Sequence, residues 1–325
     1  MKIIVIGLGS MGKRRLRLLS EHNDIELFGI DSQESRREEV KEKFCITCFK
    51  SIAEAAEAEK IQAAVISTSP LSHAAIINEC LTHNLHVFTE INLVQDGYEE
   101  NMALAKEKNL VLFLSSTFLY RKETQTIIEK VQNAKCLLNY IYHVGQYLPD
   151  WHPWESYNSY FIGNSRTNGC REIMAIDLPW VVSAFGPIKN ISSIKSKNTG
   201  LDINYNDNYL ITIEHENGHK GVFAVDVVAR KSGRNLEIFG EYLHLSWNGT
   251  PVSLNVYNIE GKKDEVVKFD DASEHAEGYA AFVTENPYRE ELNSFLKQIE
   301  DRNFTPKWDF EKDKVILDII DQIED

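Results

Sequence analysis

A doubly wound α/β domain followed by an α+β domain is predicted from three features. Apolar runs alternate with helical patterns through the first 115 residues, a glycine-rich turn joins the first run to the first helix, and after residue 120 the rhythm changes to strands of period two. The chain has 325 residues, enough for about two domains. Its 49 acidic and 35 basic residues leave a net charge of −14, which excludes a general nucleic-acid binder, because an acidic surface repels phosphate. With 43% hydrophobic and 26% charged residues a core can form and disorder is excluded.

Residues 2–6, KIIVI, are a continuous apolar run suited to a strand buried on both faces, and residues 11–21 place Leu16, Leu18 and Leu19 at helical spacing. The same alternation predicts strands at 26–30, 46–49, 63–67, 86–89 and 111–115, with helices at 36–43, 52–58, 72–83 and 98–108. Strands joined through helices are parallel, so the first domain is a parallel sheet covered on both faces. An amphipathic helix at 122–131 then leads into strands at 136–144, 209–215, 221–228, 236–239 and 243–247, with turn residues such as Glu216-Asn217-Gly218 between them. Helices are predicted at 171–185, 288–300 and 312–324. The second domain reads as an open, mainly antiparallel sheet with helices on one face. The division expected is 1–120 for a nucleotide-binding domain and 121–325 for a substrate-binding and oligomerisation domain, whose last helix is able to pack back on the first.

No run of about 18 apolar residues is present, and the N-terminus turns glycine-rich too early for a signal peptide, so no membrane association is expected. Cys45, Cys48, Cys80, Cys136 and Cys170 are odd in number and scattered, which fits reduced thiols and a cytoplasmic protein. Cys45 and Cys48 form a CxxC without a second pair, and the ten histidines show no HExxH-like spacing; no metal is expected.

Gly7-Leu8-Gly9-Ser10-Met11-Gly12 is a GxGxxG lying directly after the first strand and at the start of the first helix. The first glycine permits the tight turn, the second the approach of a pyrophosphate, and the third close packing of helix on strand; Ser10 and Met11 open a helix whose N–H groups suit phosphates. Asp31 ends the second strand about 20 residues on, where its carboxylate can accept from both ribose hydroxyls and repel a 2′-phosphate. NAD is therefore expected over NADP, with Arg36 and Arg37 the residues that could accommodate the extra phosphate.

With Ser67-Thr68-Ser69-Pro70, His73 and Glu90-Ile91-Asn92 added to that turn, the chain resembles the Gfo/Idh/MocA oxidoreductases over nearly its full length, most strongly in residues 3–12, 65–73 and 86–93. That family pairs an N-terminal Rossmann domain with a C-terminal α/β domain and acts mostly on sugars, inositols or nucleotide sugars. The resemblance implies cofactor contacts at Thr68, Ser69 and His73. It also exposes departures. Most members carry Glu-Lys-Pro where this chain has Glu90-Ile91-Asn92; Ile91 has no proton to give, leaving Glu90 and Asn92 for the cofactor. Many members carry an Asp and, four residues on, an acid/base His; counting back from Gly186 puts Glu172 and Ile176 there, and a shift of one residue would bring in Asp177 instead.

Replacement chemistry is sought in the loop Tyr147-Leu148-Pro149-Asp150-Trp151-His152-Pro153-Trp154-Glu155. Trp151 and Trp154 suit the C–H face of a sugar ring, and His152, as the side-chain type suited to proton transfer near neutral pH, is the first acid/base candidate beside Glu172. The alternative is a packed hinge or subunit contact. The segment also resembles, within the family, members found with surface-polysaccharide and nonulosonic-acid sugar genes. Tyr120 and Arg121, at a position where members often present an arginine, and Arg171 are candidates for binding substrate, a carboxylate or phosphate in the case of the arginines; the alternative for each arginine is an ion pair with a neighbouring acid.

The reading is an NAD-dependent oxidoreductase acting on a sugar or nucleotide-sugar hydroxyl or ketone. Two others stay open: a redox-neutral epimerase or lyase that retains its cofactor, and a non-catalytic nucleotide- or sugar-binding scaffold, which the absent lysine and histidine favour. A homodimer or homotetramer is expected, as family members pair through the open sheet.

Overall fold

The structure, a computed structural model, describes residues 1–153, 155–269 and 284–325. The chain forms two compact units: Met1–Ser116 with Tyr288–Val315, and Thr117–Pro287 with Ile316–Asp325.

The first unit alternates β1 (Lys2–Ile6), α1 (Ser10–Leu19), β2 (Glu26–Ile30), α2 (Glu34–Phe44), β3 (Thr47–Phe49), α3 (Ile52–Ala58), β4 (Ala63–Ile66), α4 (Pro70–Thr82), β5 (His86–Thr89), α5 (Tyr98–Glu107) and β6 (Leu112–Leu114). All six strands are parallel in the order β3-β2-β1-β4-β5-β6, the doubly wound sheet expected from the alternation. The strand order reverses beside β1, and the register aligns Ile6 with both Ile30 and Ile66, and Ile66 with Thr89. Gly7, Asp31, Ser67 and Glu90 therefore leave the sheet at one level, at the carboxyl ends where open α/β sheets bind ligands. Helix α4 starts two residues earlier than the apolar spacing indicates, because Pro70 fits the first turn, where its missing N–H costs nothing.

The second unit contains α6 (Lys122–Gln132), β7 (Leu138–Gly145), α7 (Gly169–Phe185), β8 (Ile188–Ser196), β9 (Asn208–His215), β10 (Lys220–Asp226), β11 (Gly233–Gly240), β12 (His244–Trp247), β13 (Asn255–Asn258) and β14 (Lys263–Val266). These strands form one sheet, β14-β13-β12-β11-β7-β10-β9-β8, antiparallel throughout except between β7 and β10. Alternation sets its two faces. Tyr140, Tyr142, Ile211 and Phe223 are buried, with Tyr142 stacked on Phe223 and edge-on to Trp180 of α7, whereas Ile141, Leu210, Val222 and Ile194 are exposed. Strands β8, β13 and β14 escaped the period-two reading because they are edge or near-edge strands of polar composition, KDEV in β14, that bury little. The loop after β7 is built from short 3-10 turns at Leu148–Asp150, Tyr157–Ser159, Phe161–Gly163 and Ser165–Thr167.

The chain closes with α8 (Asn286–Glu300) and α9 (Phe310–Glu324). Phe295 of α8 packs edge-on against Phe88 and Phe113 of the parallel sheet, and Phe310 against Tyr98. Among the described residues no helix is long and apolar enough to cross a membrane.

Candidate functional site

The glycine turn shows which of its glycines the fold itself requires. Gly7 has φ +89, and a Cβ there would lie 2.6 Å from the Ser67 carbonyl oxygen; a Cβ on Gly12 would lie 1.8 Å from the Gly7 oxygen. On Gly9 a Cβ would meet only Arg36 Nη1, at 4.0 Å. The space above Gly9 is thus open. Helix α1 begins there with no side-chain cap and no acid in its first turn, so its amides are presented to an incoming anion.

Asp31 is buried, and its carboxylate is fixed by two backbone N–H groups, Leu8 to Oδ2 and Gln33 to Oδ1, both at 2.8 Å. The two arginines behind it differ. Arg37 is buried and donates Nη1 to the carbonyls of Asp31 and Ser32 at 2.7 and 3.0 Å, so its charge is used to close the turn. Arg36 is exposed, with Nη1 3.6 Å from Asp31.

His73 and Asn92 are drawn together beneath the loop after β4. His73 Nδ1 lies 2.6 Å from Asn92 Oδ1 and 3.3 Å from the Thr89 hydroxyl, and Nε2 lies 3.1 Å from the Thr68 carbonyl. Burial lowers the His73 pKa, against the raising effect of the hydrogen bonds to Asn92 and Thr68. Both residues are almost inaccessible and hold the Thr68-Ser69 loop in place; that loop is only partly buried.

Glu90 is also engaged by the protein. Arg15 of α1 donates Nε and Nη2 to its two oxygens at 2.7 and 2.9 Å, and Nη2 also reaches Glu291 of α8 at 2.8 Å. Glu291 in turn accepts from the Ser116 N–H at 2.6 Å and the Ser115 hydroxyl at 3.0 Å, while burial pushes its carboxyl up. Arg15 is fully buried over the Phe88 ring, 4.5 Å from its centre. Neither Arg15 nor Glu291 was singled out from the sequence; the sign was an arginine among the leucines of an otherwise apolar helix face.

Within the second unit a cavity of about 240 Å³ opens between α7, the start of β11 and the loop after β7, lined among others by Gln146, Trp151, Glu172, Ile176, Arg234 and Thr250. Glu172 stands on the first turn of α7 and has no hydrogen-bond partner for its carboxylate among the described residues. Burial pushes its pKa up to about 7, opposed by the positive charge of Arg234. Ile176, one turn later, presents an apolar wall in the same cavity.

Asp177, the other candidate on α7, is fully buried and accepts from the Tyr142 hydroxyl at 2.6 Å, Trp180 Nε1 at 3.1 Å and Arg234 Nη2 at 3.2 Å. Its place is behind Arg234, not in the cavity. Arg234 lies over the Phe118 ring, 4.6 Å from its centre. It was not chosen from the sequence, although Arg230, Lys231 and Arg234 form a basic cluster in an acidic chain.

Several residues proposed from the sequence lie elsewhere. His152 does not line this cavity: Nδ1 meets Glu155 at 2.8 Å, and the ring stacks on Tyr160 with centres 4.6 Å apart. Arg121 is buried between Phe118 and Trp247 and donates Nη2 to Glu123 and to the Gly249 carbonyl at 2.7 and 2.8 Å. Arg171 is closed by Asp321 at 2.6 Å and by Glu324. Both arginines have thus taken the ion-pair alternative. Tyr120 is buried, Trp151 lines the cavity with its indole N–H on the Gln146 carbonyl at 3.0 Å, and Trp154 lies outside the described residues.

Comparison with known proteins agrees with this architecture. Residues 1–116 match the GFO_IDH_MocA family, described as an oxidoreductase family with an NAD-binding Rossmann fold. A myo-inositol 2-dehydrogenase of Thermotoga maritima is 27% identical over 138 residues, so that the match spans 41% of this chain and 41% of that protein. Among solved structures, a UDP-N-acetylglucosamine 3-dehydrogenase, GnnA, from Acidithiobacillus ferrooxidans superposes with a TM-score of 0.76 at 17% identity, covering 100% of this chain and 96% of its own. The WlbA dehydrogenase of Bordetella pertussis, in complex with NADH and UDP-GlcNAcA, gives a TM-score of 0.75 at 13% identity, covering 99% and 95%. At these identities the structural likeness is one of fold.

Proposed function

We propose that the chain, whose residues 1–116 match the Gfo/Idh/MocA oxidoreductase family, is an NAD-dependent enzyme acting on a hydroxyl or ketone of a sugar or nucleotide sugar. The observation that carries this reading is Glu172, a carboxyl poised near neutrality and left without a hydrogen-bond partner in a cavity of sugar-ring size. The names of GnnA, WlbA and the inositol dehydrogenase support the substrate class.

Gly7, Gly9, Gly12, Ser10 and Met11 would hold the pyrophosphate, and Asp31 the adenine ribose. The preference for NAD rests on Asp31, whose charge opposes a 2′-phosphate; of the two arginines beside it, the exposed Arg36 is the one that would soften it, since Arg37 is committed to backbone carbonyls. His73, Asn92 and the Arg15-bound Glu90 act as positioning residues for the loops after β4 and β5. Bound nicotinamide supplies hydride chemistry. Glu172 takes the hydroxyl proton as the alcohol becomes a carbonyl, and returns it in the reverse direction, the work done by histidine in many relatives. A copy-to-copy contact through the exposed apolar face of the second unit's sheet would give the homo-oligomer.

The test is a titration with NADH and NADPH followed by energy transfer from tryptophan, then turnover with UDP-N-acetylglucosamine and myo-inositol. The expected result is selective NADH binding, and a Glu172→Gln variant that binds NADH normally but turns over about 10²- to 10⁴-fold more slowly. Ile91 and Ile176 favour a second reading, a binding scaffold without turnover. NADH binding with equal, negligible turnover in both proteins would establish it over the first.

A further inference from the structure

Both ring nitrogens of His73 face oxygens, Nδ1 the Asn92 Oδ1 at 2.6 Å and Nε2 the Thr68 carbonyl at 3.1 Å. A neutral imidazole has one N–H to give, and burial disfavours a second proton. One of the two contacts is therefore left without a donor for as long as Asn92 presents its oxygen. The line does not end at Asn92. Its amide also faces the hydroxyl of Tyr98 on α5, which donates to Asp313 Oδ2 of α9 at 2.6 Å. The other Asp313 oxygen, Oδ1, accepts from Trp308 Nε1 at 3.0 Å. An indole can only donate, so a proton arriving on Asp313 must sit on Oδ2, pointing at Tyr98.

Resting on the reading of the Thr68-Ser69 loop as a cofactor contact, we infer that Tyr98 and Asp313 are positioning residues for that loop: a proton on Asp313 reverses the hydrogen bonds along the whole line and secures the Thr68 carbonyl. With Asp313 ionised, Tyr98 donates to it, the Asn92 amide nitrogen donates to the Tyr98 oxygen, and Asn92 Oδ1 accepts from His73 Nδ1. Nε2 then turns a lone pair on the Thr68 carbonyl, and the loop loses this anchor. With Asp313 protonated, Oδ2 donates to Tyr98, Tyr98 donates to Asn92 Oδ1, and the Asn92 amide, turned over, donates to Nδ1. His73 then carries its proton on Nε2 and donates to Thr68. The Thr89 hydroxyl, 3.3 Å from Nδ1, serves both states because it can donate or accept. Burial pushes the Asp313 carboxyl up to about 6, against the hydrogen bonds from Tyr98 and Trp308, so the reversal falls between about pH 5 and pH 7. Two further charges act on the line: Asp309 raises Asp313 further, and Glu90 favours a charged His73. All of these residues belong to the first unit.

Carbon and nitrogen NMR of the full chain labelled in its histidine rings, without cofactor, reads the tautomer of His73, whose signal is the one lost in His73→Gln. The ring should carry its proton on Nδ1 at pH 8 and mostly on Nε2 at pH 5.5. Asp313→Asn, whose amide nitrogen Trp308 directs towards Tyr98, should show the Nε2–H form at both pH values, and Tyr98→Phe should show no reversal. NADH titration, followed by energy transfer from tryptophan, should find wild-type affinity about three- to tenfold weaker at pH 8 than at pH 5.5, the worth of one hydrogen bond. Asp313→Asn should bind at pH 8 as tightly as wild type does at pH 5.5, and Tyr98→Phe should lose most of the pH dependence. A merely structural Asp313 would alter stability without turning the tautomer. NADH binding alongside a single His73 tautomer throughout, a His73 that becomes charged in place of Asp313, or an affinity equal in wild type and Asp313→Asn at pH 8 would overturn the inference alone. Absence of NADH binding would overturn the cofactor reading, whatever the tautomer does.

Discussion

Burial raises the carboxyl pKa of both Glu291 and Glu172, yet the protein treats them in opposite ways. In the first unit Glu291 receives Arg15, the Ser115 hydroxyl and the Ser116 N–H, and its partner Glu90 receives the other edge of the same guanidinium. In the second unit Glu172 is left with the remote attraction of Arg234 and no hydrogen bond. The satisfied carboxylate ties α8 to α1 and β5, and removing any part of its cluster strands buried charge. The unsatisfied one gives the fold nothing, and costs it something once ionised. A native protein that keeps such a group in a cavity forgoes stability there, which is what marks Glu172 as a candidate functional residue.

The largest effect expected from this contrast is at Arg15. Arg15→Met leaves two carboxylates without their common cation, and should destabilise the protein by about 3–5 kcal/mol in urea unfolding at pH 7.5. Adding Glu291→Gln should recover part of the loss by removing one of the stranded charges. If Arg15→Met unfolds at wild-type urea concentrations, the cluster is not the frame described here.

Glu172 should behave in the reverse manner. Its folded pKa, about 7, lies above the ordinary 4.5, so the folded state binds the proton more tightly than the unfolded chain. The penalty of burying the charge is absent below about pH 4.5, grows as pH rises through 7, and is complete above it. Glu172→Gln carries no such penalty. Its stability relative to wild type should therefore rise between pH 5 and pH 8, by at most about 3 kcal/mol, while activity falls. Thermal unfolding of both proteins across that range checks the sign: a difference independent of pH would mean that the carboxyl titrates normally.

What the sequence disclosed follows the same division. The glycine turn, Asp31 and the parallel alternation are local or periodic, and each could be read from neighbouring residues. Helix α7 could not, because it is buried on nearly every side from Gly169 to Phe185, so periodicity does not say which face meets a cavity. Glu172 and Asp177 therefore looked interchangeable. What separates them is Arg234, which reaches Asp177 from 57 positions away, along with Tyr142 from the neighbouring strand. Likewise His152 stood out as the acid/base by residue type, but Glu155 and Tyr160 hold it outside the cavity lining. Chemical type was legible; partners set by long-range pairing were not.

The finest test lies within the glycine turn, where the same distinction between groups the fold uses and groups it leaves open is made by single hydrogens. Gly12→Ala drives a methyl to 1.8 Å from the Gly7 oxygen and must displace α1. Gly9→Ala meets nothing nearer than 4.0 Å, and Gly9 has an ordinary φ of −73. The second substitution should change stability by no more than about 1 kcal/mol, the cost of alanine at a helix N-cap. NADH affinity should nevertheless fall, because the methyl occupies the space a pyrophosphate needs. Thermal unfolding and NADH titration of the two variants read both quantities, and undiminished NADH affinity in Gly9→Ala would remove the pyrophosphate from this turn.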